Sequence, residues 1–314
     1  DVVVMDEGSQ VKPAEAVIPI RRLRPGGRLV IAGDDRQLPP IFQGRYKFED
    51  GTPVLDRSIL ECLRGRDPDD VCTVPLLENF RMNDVLCAWP AHSIYPATYG
   101  PATEEIARRR LPSGARGTAS ELVRLALDPS HPVVVCVLEE VKATRENPHE
   151  AALVADIACE LADVGPSGSD AEFWRERLFV VSPHRAQNRL IRRVLAERRT
   201  WDSAPFVDTV DKMQGQECDC VVVSYGVSDV EYALNESEFI YSLNRLNVAV
   251  TRARMKTVVL LSRTLLEPPI QAFDNDDVAD GIAFMQGLAR FCETSGTPPV
   301  EVATDTGRVT VLRA

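Results

Sequence analysis

The sequence predicts an α/β fold of parallel sheets with helices on both faces, one domain partial and one complete. Apolar runs of strand length alternate with longer segments of helical periodicity, as a parallel sheet covered by helices requires. The runs are β-branched and unbroken, which marks buried strands. The first two end in acid-rich loops, and open α/β sheets bind ligands at the carboxyl ends of their strands.

The 314 residues, 26% charged and 44% hydrophobic, suffice for two ordinary domains with separate cores. Val2-Val3-Val4-Met5 reads as a strand, residues 12 to 23 as a short helix, and Arg28-Leu29-Val30-Ile31-Ala32 as a second strand ending at Gly33. Two strands are too few for a domain. Residues 1 to 45 are therefore expected to be the trailing part of a sheet whose earlier strands lie upstream, and the abrupt aspartate start fits that expectation. Residues 46 to 132 are less regular and read as a connector, with a helix near 55 to 64 and an amphipathic helix from about 83.

The second domain, residues 133 to 270, has strands at Val133-Val134-Val135-Cys136-Val137-Leu138, Leu178-Phe179-Val180-Val181, Cys220-Val221-Val222-Val223-Ser224 and Thr257-Val258-Val259-Leu260-Leu261. Helices are expected at 149 to 163, 185 to 199 and 240 to 253, which completes a doubly wound domain. Residues 271 to 314 form an extension with an apolar helix around 281 to 293. A hairpin follows, turned by Asp305-Thr306-Gly307.

A net charge of -11 excludes a protein that holds nucleic acid by overall positive charge. Local basic clusters remain, at Arg108-Arg109-Arg110 with Arg116, at 189 to 199 and at 245 to 256. The eight cysteines include no Cys-x-x-Cys pair and the four histidines no metal-ligand spacing, so free buried thiols in a reducing compartment are expected and a zinc site is not. No apolar run approaches the roughly 20 residues of a membrane helix. The start lacks a signal peptide's basic region, so the expected location is cytoplasmic or nucleoid-associated, with no membrane partner.

Asp6-Glu7 directly follows the first strand; an aspartate there can hold Mg2+ through its water shell, and the glutamate can take a proton from water. Acidic residues at a helix N-terminus, favoured by the helix dipole, are the plainer alternative. Gly33-Asp34-Asp35-Arg36-Gln37-Leu38-Pro39-Pro40 ends the second strand, and its glutamine could sense a terminal phosphate; a Gly/Asp/Pro turn is the alternative. Glu78-Asn79-Phe80-Arg81-Met82 sets a ring that can stack on a base beside a guanidinium that can reach a phosphate. The polar stretch from Phe206 to Asp219 lies between two strands. Leu243 to Arg254 reads as a helix with Arg252 and Arg254 pointing in different directions.

In this order the segments resemble motifs II to VI of superfamily 1B helicases: Asp6 to Gln10 motif II, Gly33 to Pro40 motif III, Glu78 to Met82 motif IV, Val207 to Glu217 motif V, and Leu246 to Arg254 motif VI. Ser182-Pro183-His184-Arg185-Ala186-Gln187 resembles the subgroup's Thr-Pro-Tyr-x-x-Gln element, and Asn147 with Glu150-Ala151 part of its connecting pattern. The resemblance implies RecA-like domains of a P-loop NTPase helicase core, with ATP and Mg2+ bound between them and single-stranded DNA or RNA crossing both. It implies that Asp6 holds Mg2+, Glu7 activates water, Gln37 contacts the γ-phosphate, and Arg81 and Arg252 are arginine fingers. Phe80 would stack on adenine, Asp34, Gly215 and Glu217 would line the nucleotide cleft, and Pro39, Ser182, Pro183, His184 and Thr209 would face the nucleic acid.

Departures are Gly8 for the common Ala, Asn79-Phe80 for Gln-Tyr, His184 for Tyr and Met213 for Phe. No Gly-x-x-x-x-Gly-Lys-Ser/Thr occurs, so the resemblance implies a phosphate-cradling Walker A loop in an N-terminal part upstream of Asp1 and no hydrolysis without it. Two rival readings are a non-catalytic nucleic-acid-binding scaffold and a metal nuclease using Asp6, Glu7, Asp34 and Asp35.

Overall fold

A computed structural model describes residues 1–42, 57–64, 72–139, 142–305 and 307–314. It divides into two compact units, Asp1–Leu76 and Leu77–Ala314, a boundary inside the expected connector.

In the first unit β1 (Val2–Met5) and β2 (Arg28–Ile31) pair in parallel, Val2 opposite Arg28. Between them α1 (Pro13–Ile20) opens on a proline, whose missing N–H costs nothing at the first helical position. It stops short of the expected residue 23 because the backbone tightens to three-residue bonds, Arg22 N–H donating to Pro19 O at 3.1 Å and Leu23 N–H to Ile20 O at 3.0 Å. In α2 (Ile59–Arg64), Ser58 and Glu61 form a reciprocal cap: the Ser58 N–H donates to Glu61 Oε2 at 2.8 Å and the Glu61 N–H to Ser58 Oγ at 3.2 Å. Residues 55 and 56 of that expected helix lie outside the described residues. Met5, Ala16 and Ile59 form the buried centre, flanked by Val3, Leu29 and Ile31; Val2, Val4 and Val30, on the other strand face, are exposed.

The second unit begins with β3 (Glu78–Asn79), α3 (Asp84–Ser93) and β4 (Gly100–Pro101), the two short strands pairing in parallel, then α4 (Glu104–Ala107) and α5 (Glu121–Ala126). After β5 (Val133–Leu138), α6 (Pro148–Val164) leads through the short α7 (Asp170–Glu172) and a π-helical turn at Phe173–Arg177 into β6 (Leu178–Val181). Next come α8 (Arg185–Arg198), β7 (Val207–Asp208), a 3-10 turn at Val210–Met213 and β8 (Cys218–Ser224). The helices α9 (Val230–Asn235), α10 (Ser237–Ile240) and α11 (Leu243–Val250) then precede β9 (Ala253–Ser262). After α12 (Arg263–Leu266), α13 (Asp276–Thr294) leads to β10 (Val300–Thr304) and β11 (Gly307–Arg313).

These strands form one sheet in the order β10-β11-β5-β9-β8-β6-β7. From β5 to β7 every neighbouring pair is parallel. The sheet is nevertheless mixed, not parallel throughout: the C-terminal hairpin, expected as part of an extension, docks β11 antiparallel on β5. Val309 and Val311 supply the inward face of β11. Alternate residues divide the core between two layers: Val134, Cys136 and Leu138 turn toward α5, α6 and α8, while α3, α11 and α13 cover the opposite face. Trp89 meets Phe284 at 4.2 Å between ring centres, fixing α3 to α13.

The helix expected over 240 to 253 ends at Val250, where the Thr251 hydroxyl donates to Asn247 O at 2.7 Å. The chain must leave the helix there to pair Ala253 with Cys218, which puts Arg252 in a turn and Arg254 on a strand. Against this region, the α carbon of Gly281 sits so close to Tyr241 that a β carbon would fall 1.5 Å from the Tyr241 carbonyl oxygen. Gly281→Ala should therefore destabilise the protein by about 2 kcal/mol or more, read as a lowered midpoint in chemical denaturation; an unchanged midpoint would refute the close crossing.

Candidate functional site

In the first unit both acidic loops leave the carboxyl ends of their strands as expected, and they are joined by backbone. Gly8 N–H donates to Ala32 O at 2.7 Å, and a β carbon on Gly33 would lie 2.8 Å from Ser9 N. Asp6 and Glu7 are exposed. Glu7 has φ +53°, the one non-glycine residue with positive φ among those described, a conformation that costs about 1 kcal/mol and clusters at functional sites. Its carboxylate accepts from Gln10 Nε2 at 2.9 Å. In the second loop Gln37 Nε2 donates to Asp34 Oδ2 at 2.9 Å, Asp35 pairs with Arg64 at 2.7 Å, and Pro39 is exposed.

Among the described residues no three metal-ligating side chains gather, which leaves the nuclease reading without its metal cluster. A lone exposed Asp6 fits Mg2+ brought in with a nucleotide, since that ion keeps its waters and takes one or two carboxylates besides phosphate oxygens.

In the second unit three distant stretches meet at the amino ends of β8 and β9. Asn79 Oδ1 accepts from the N–H groups of Arg81 and Met82 at 2.7 and 2.8 Å, a local turn that aims Arg81. Arg81 Nε donates to Glu217 Oε2 at 2.9 Å and its Nη1 to Thr251 O at 3.0 Å. Asn83 Nδ2 donates to Met255 O at 2.9 Å and binds the whole segment to β9. Phe80, 67% exposed, presents an open ring. Gly215, at φ +71° with nothing within 4 Å of a β carbon, leaves bare backbone open two residues before Glu217.

Arg254 anchors structure: it pairs with Asp219 at 2.8 Å and Glu217 at 3.6 Å and donates to Glu176 O at 2.9 Å. Arg252 is 4% exposed, and its Nε donates to Val248 O at 3.4 Å.

The expected nucleic-acid residues of this unit gather at the other end of the sheet. Ser182, Pro183 and His184 follow β6, and Thr209 follows β7. Pro183, His184 and Thr209 line a cleft of about 330 Å³ with Arg185, Asp211, Glu236, Phe239 and Arg245. Burial holds the His184 imidazole below its ordinary range despite Glu236, and Arg145 adds to the fall, so the ring is neutral at pH 7. Its Nε2 has no partner among the described residues. Beyond the expected residues the lining holds Arg185 and Phe239, which carry no motif role in the sequence, and Arg245, which opens the basic run at 245 to 256.

Elsewhere the basic clusters are largely neutralised, Arg110 by Asp84, Arg116 by Glu160 and Asp163, and Arg199 by Asp163 and Asp170.

Beneath the cleft lies a buried network. The Ser224 hydroxyl donates to Glu150 Oε2 at 2.7 Å and Gly226 N–H donates to the same oxygen at 2.9 Å. Gln187 Nε2 donates to Ser224 Oγ at 2.9 Å, and its Oε1 accepts from Asn147 N at 2.7 Å. The network ties α6 and α8 to the end of β8 under the Ser182-to-Gln187 segment.

A largely parallel sheet covered by helices on both faces, with the motif IV to VI segments at its strand ends, is a RecA-like helicase module, and the motif order places the chain in superfamily 1B. Residues 55–264 match the family model described as an AAA domain, and the chain belongs to that family. It is 26% identical over 280 residues to the DNA replication ATP-dependent helicase/nuclease JHS1 of Arabidopsis thaliana, covering 86% of this chain and 19% of that protein. The DNA-binding protein SMUBP-2 of Rattus norvegicus is 28% identical over 262 residues, 83% of this chain and 24% of its own length. The uncharacterized ATP-dependent helicase MJ0104 of Methanocaldococcus jannaschii is 27% identical over 273 residues, 85% of this chain and 36% of its own. The chain thus spans about a fifth to a third of the length of these relatives. No helix among the described residues is long and apolar enough to cross a membrane.

Burial pushes the Glu150 carboxyl up from 4.5 to about 7, against the hydrogen bonds from Ser224, Gly226 and Asn147. Between those values the folded state holds a proton the unfolded state has lost, so this group's contribution is full below pH 4.5 and fades as pH rises through about 7. Wild-type stability relative to Glu150→Gln should fall across that window by on the order of 3 kcal/mol. Parallel pH profiles in denaturant titrations would contradict the shift.

Proposed function

We propose that this chain is part of an ATP-dependent helicase or translocase that couples ATP hydrolysis to movement along single-stranded DNA or RNA, in the 5′ to 3′ direction. The observation that carries the reading is Arg81, held at 2.9 Å from Glu217 and 3.0 Å from the Thr251 carbonyl. One guanidinium thereby joins motifs IV, V and VI, and a protein that only bound nucleic acid would need no such junction. The first unit supplies Asp6 to hold Mg2+, Glu7 to accept a proton from the attacking water, Gln37 to contact the terminal phosphate, and Asp34, which accepts from Gln37 Nε2 at 2.9 Å, as a residue of the nucleotide cleft. Bound Mg2+ would neutralise phosphate charge. The second unit supplies Arg81 and Arg252 as phosphate-directed cations, Phe80 as a stacking face for adenine, and Gly215 and Glu217 as the rim around them. Pro39 of the first unit and Ser182, Pro183, His184 and Thr209 of the second contact the strand through its phosphates and bases, independent of sequence.

The burial of Arg252 favours a second reading, a nucleic-acid-binding scaffold without turnover. ATPase assays separate the two. In a polypeptide carrying these residues together with a Walker A loop, Arg81→Ala and Arg252→Ala should each lower turnover by on the order of 10³-fold or more, and near wild-type rates in both would overturn the arginine roles. The 314 residues alone should hydrolyse no ATP, and Mg2+-dependent turnover by them would show that a phosphate loop is dispensable.

A further inference from the structure

Arg245 stands in the cleft at the carboxyl end of the sheet in an arrangement suited to exchange. Its Nη1 is 3.1 Å from Asp211 Oδ2, and its guanidinium carbon lies 4.4 Å above the Phe239 ring. The side chains are 28% and 36% exposed, so solvent and ligand reach both. The backbone beneath is rigid: Ser242 caps α11, and Leu246, Asn247 and Val248 are buried. An ion pair this open contributes little to stability. A guanidinium lying flat on an aromatic face keeps its in-plane donors available, and carboxylate and phosphate satisfy the same fork. Arg185, the first residue of α8, adds a second cation to the lining, and the first turn of α8 contains no acidic residue. With Arg185 and Arg245 set against Asp211 and Glu236, the lining is charge-balanced while Arg245 remains paired.

We propose that Arg245 binds a backbone phosphate of the single strand and that Asp211 is its resident partner, displaced when the strand enters. This rests on reading the cleft as part of the nucleic-acid path. Strand binding is then an exchange of one anion for another, and the carboxylate sets the threshold: a ligand must offer more than a lone anion to take the arginine from Asp211.

Fluorescence anisotropy of labelled 12-nucleotide oligo-dT and oligo-U across a salt series tests this on the 314-residue chain. Removing the competitor in Asp211→Asn should tighten binding on the order of fivefold, as expected for loss of one exposed ion pair. Arg245→Gln should weaken binding and flatten the log-log salt slope by about 0.7, the loss of one single-strand phosphate contact, and Arg245→Lys should retain most of the slope. If Asp211→Asn weakens binding as Arg245→Gln does, the pair is structural and the proposal fails. If wild type binds, Thr209→Ala or His184→Ala weakens it, and Arg245→Gln matches wild type, the proposal fails while the cleft reading stands. Folded wild-type protein that binds neither oligonucleotide at low salt would overturn both. Should Arg245→Gln lose its thermal transition, Asp211→Asn, which leaves the arginine in place, decides alone.

Discussion

Four parallel strands, β5, β9, β8 and β6, are buried on both faces for nearly their whole length. A side chain on such a strand has no water to face, so groups that handle charged ligands are confined to the strand ends. The constraint sorts the second unit into two poles. Arg81, Glu217 and the turn holding Arg252 occupy the amino ends of β8 and β9, while Pro183, His184 and Thr209 occupy the carboxyl ends of β6 and β7. Seven-residue β8 separates the poles by roughly 20 Å. The stretch from Thr209 to Glu217, through the 3-10 turn, is a single covalent link from one pole to the other.

Where polar groups do enter the interior they are wired to backbone. Lys256 on β9 is buried, donates from Nζ to Asp128 O at 2.9 Å and to His131 O, and is pushed down by burial to about 8. Glu150 is the acidic counterpart near the other ends of the strands. Each adds a buried tie to a loop beside the sheet, Lys256 to residues 128 to 131 and Glu150 to the turn at Gly226.

The strands were legible in the sequence because burial on both faces leaves an unbroken apolar run, and all four long runs of the second unit became strands. Membership of the helicase family was legible from motif order, and the family match confirms it. The end of α11 was not legible, because Ala253 continues an apolar helical face and yet is committed to pairing with Cys218, a partner 35 residues away. Nor could the hairpin's docking on β5 be read, as local alternation specifies a hairpin but not its neighbour. Arg81 and Glu217 are 136 residues apart, and only the folded chain brings them to 2.9 Å. The role of Arg245 is hidden for a related reason: its partners Asp211 and Phe239 belong to separate segments.

The backbone contact between the two acidic loops of the first unit has a consequence for sequence variation. A β carbon at position 8 would lie 2.2 Å from Ile31 Cγ2. Glycine at 8 and a β-branched residue at 31 therefore share one volume: a methyl group added at 8 needs a smaller or unbranched residue at 31, and added alone it would pry the loops of Glu7 and Gln37 apart.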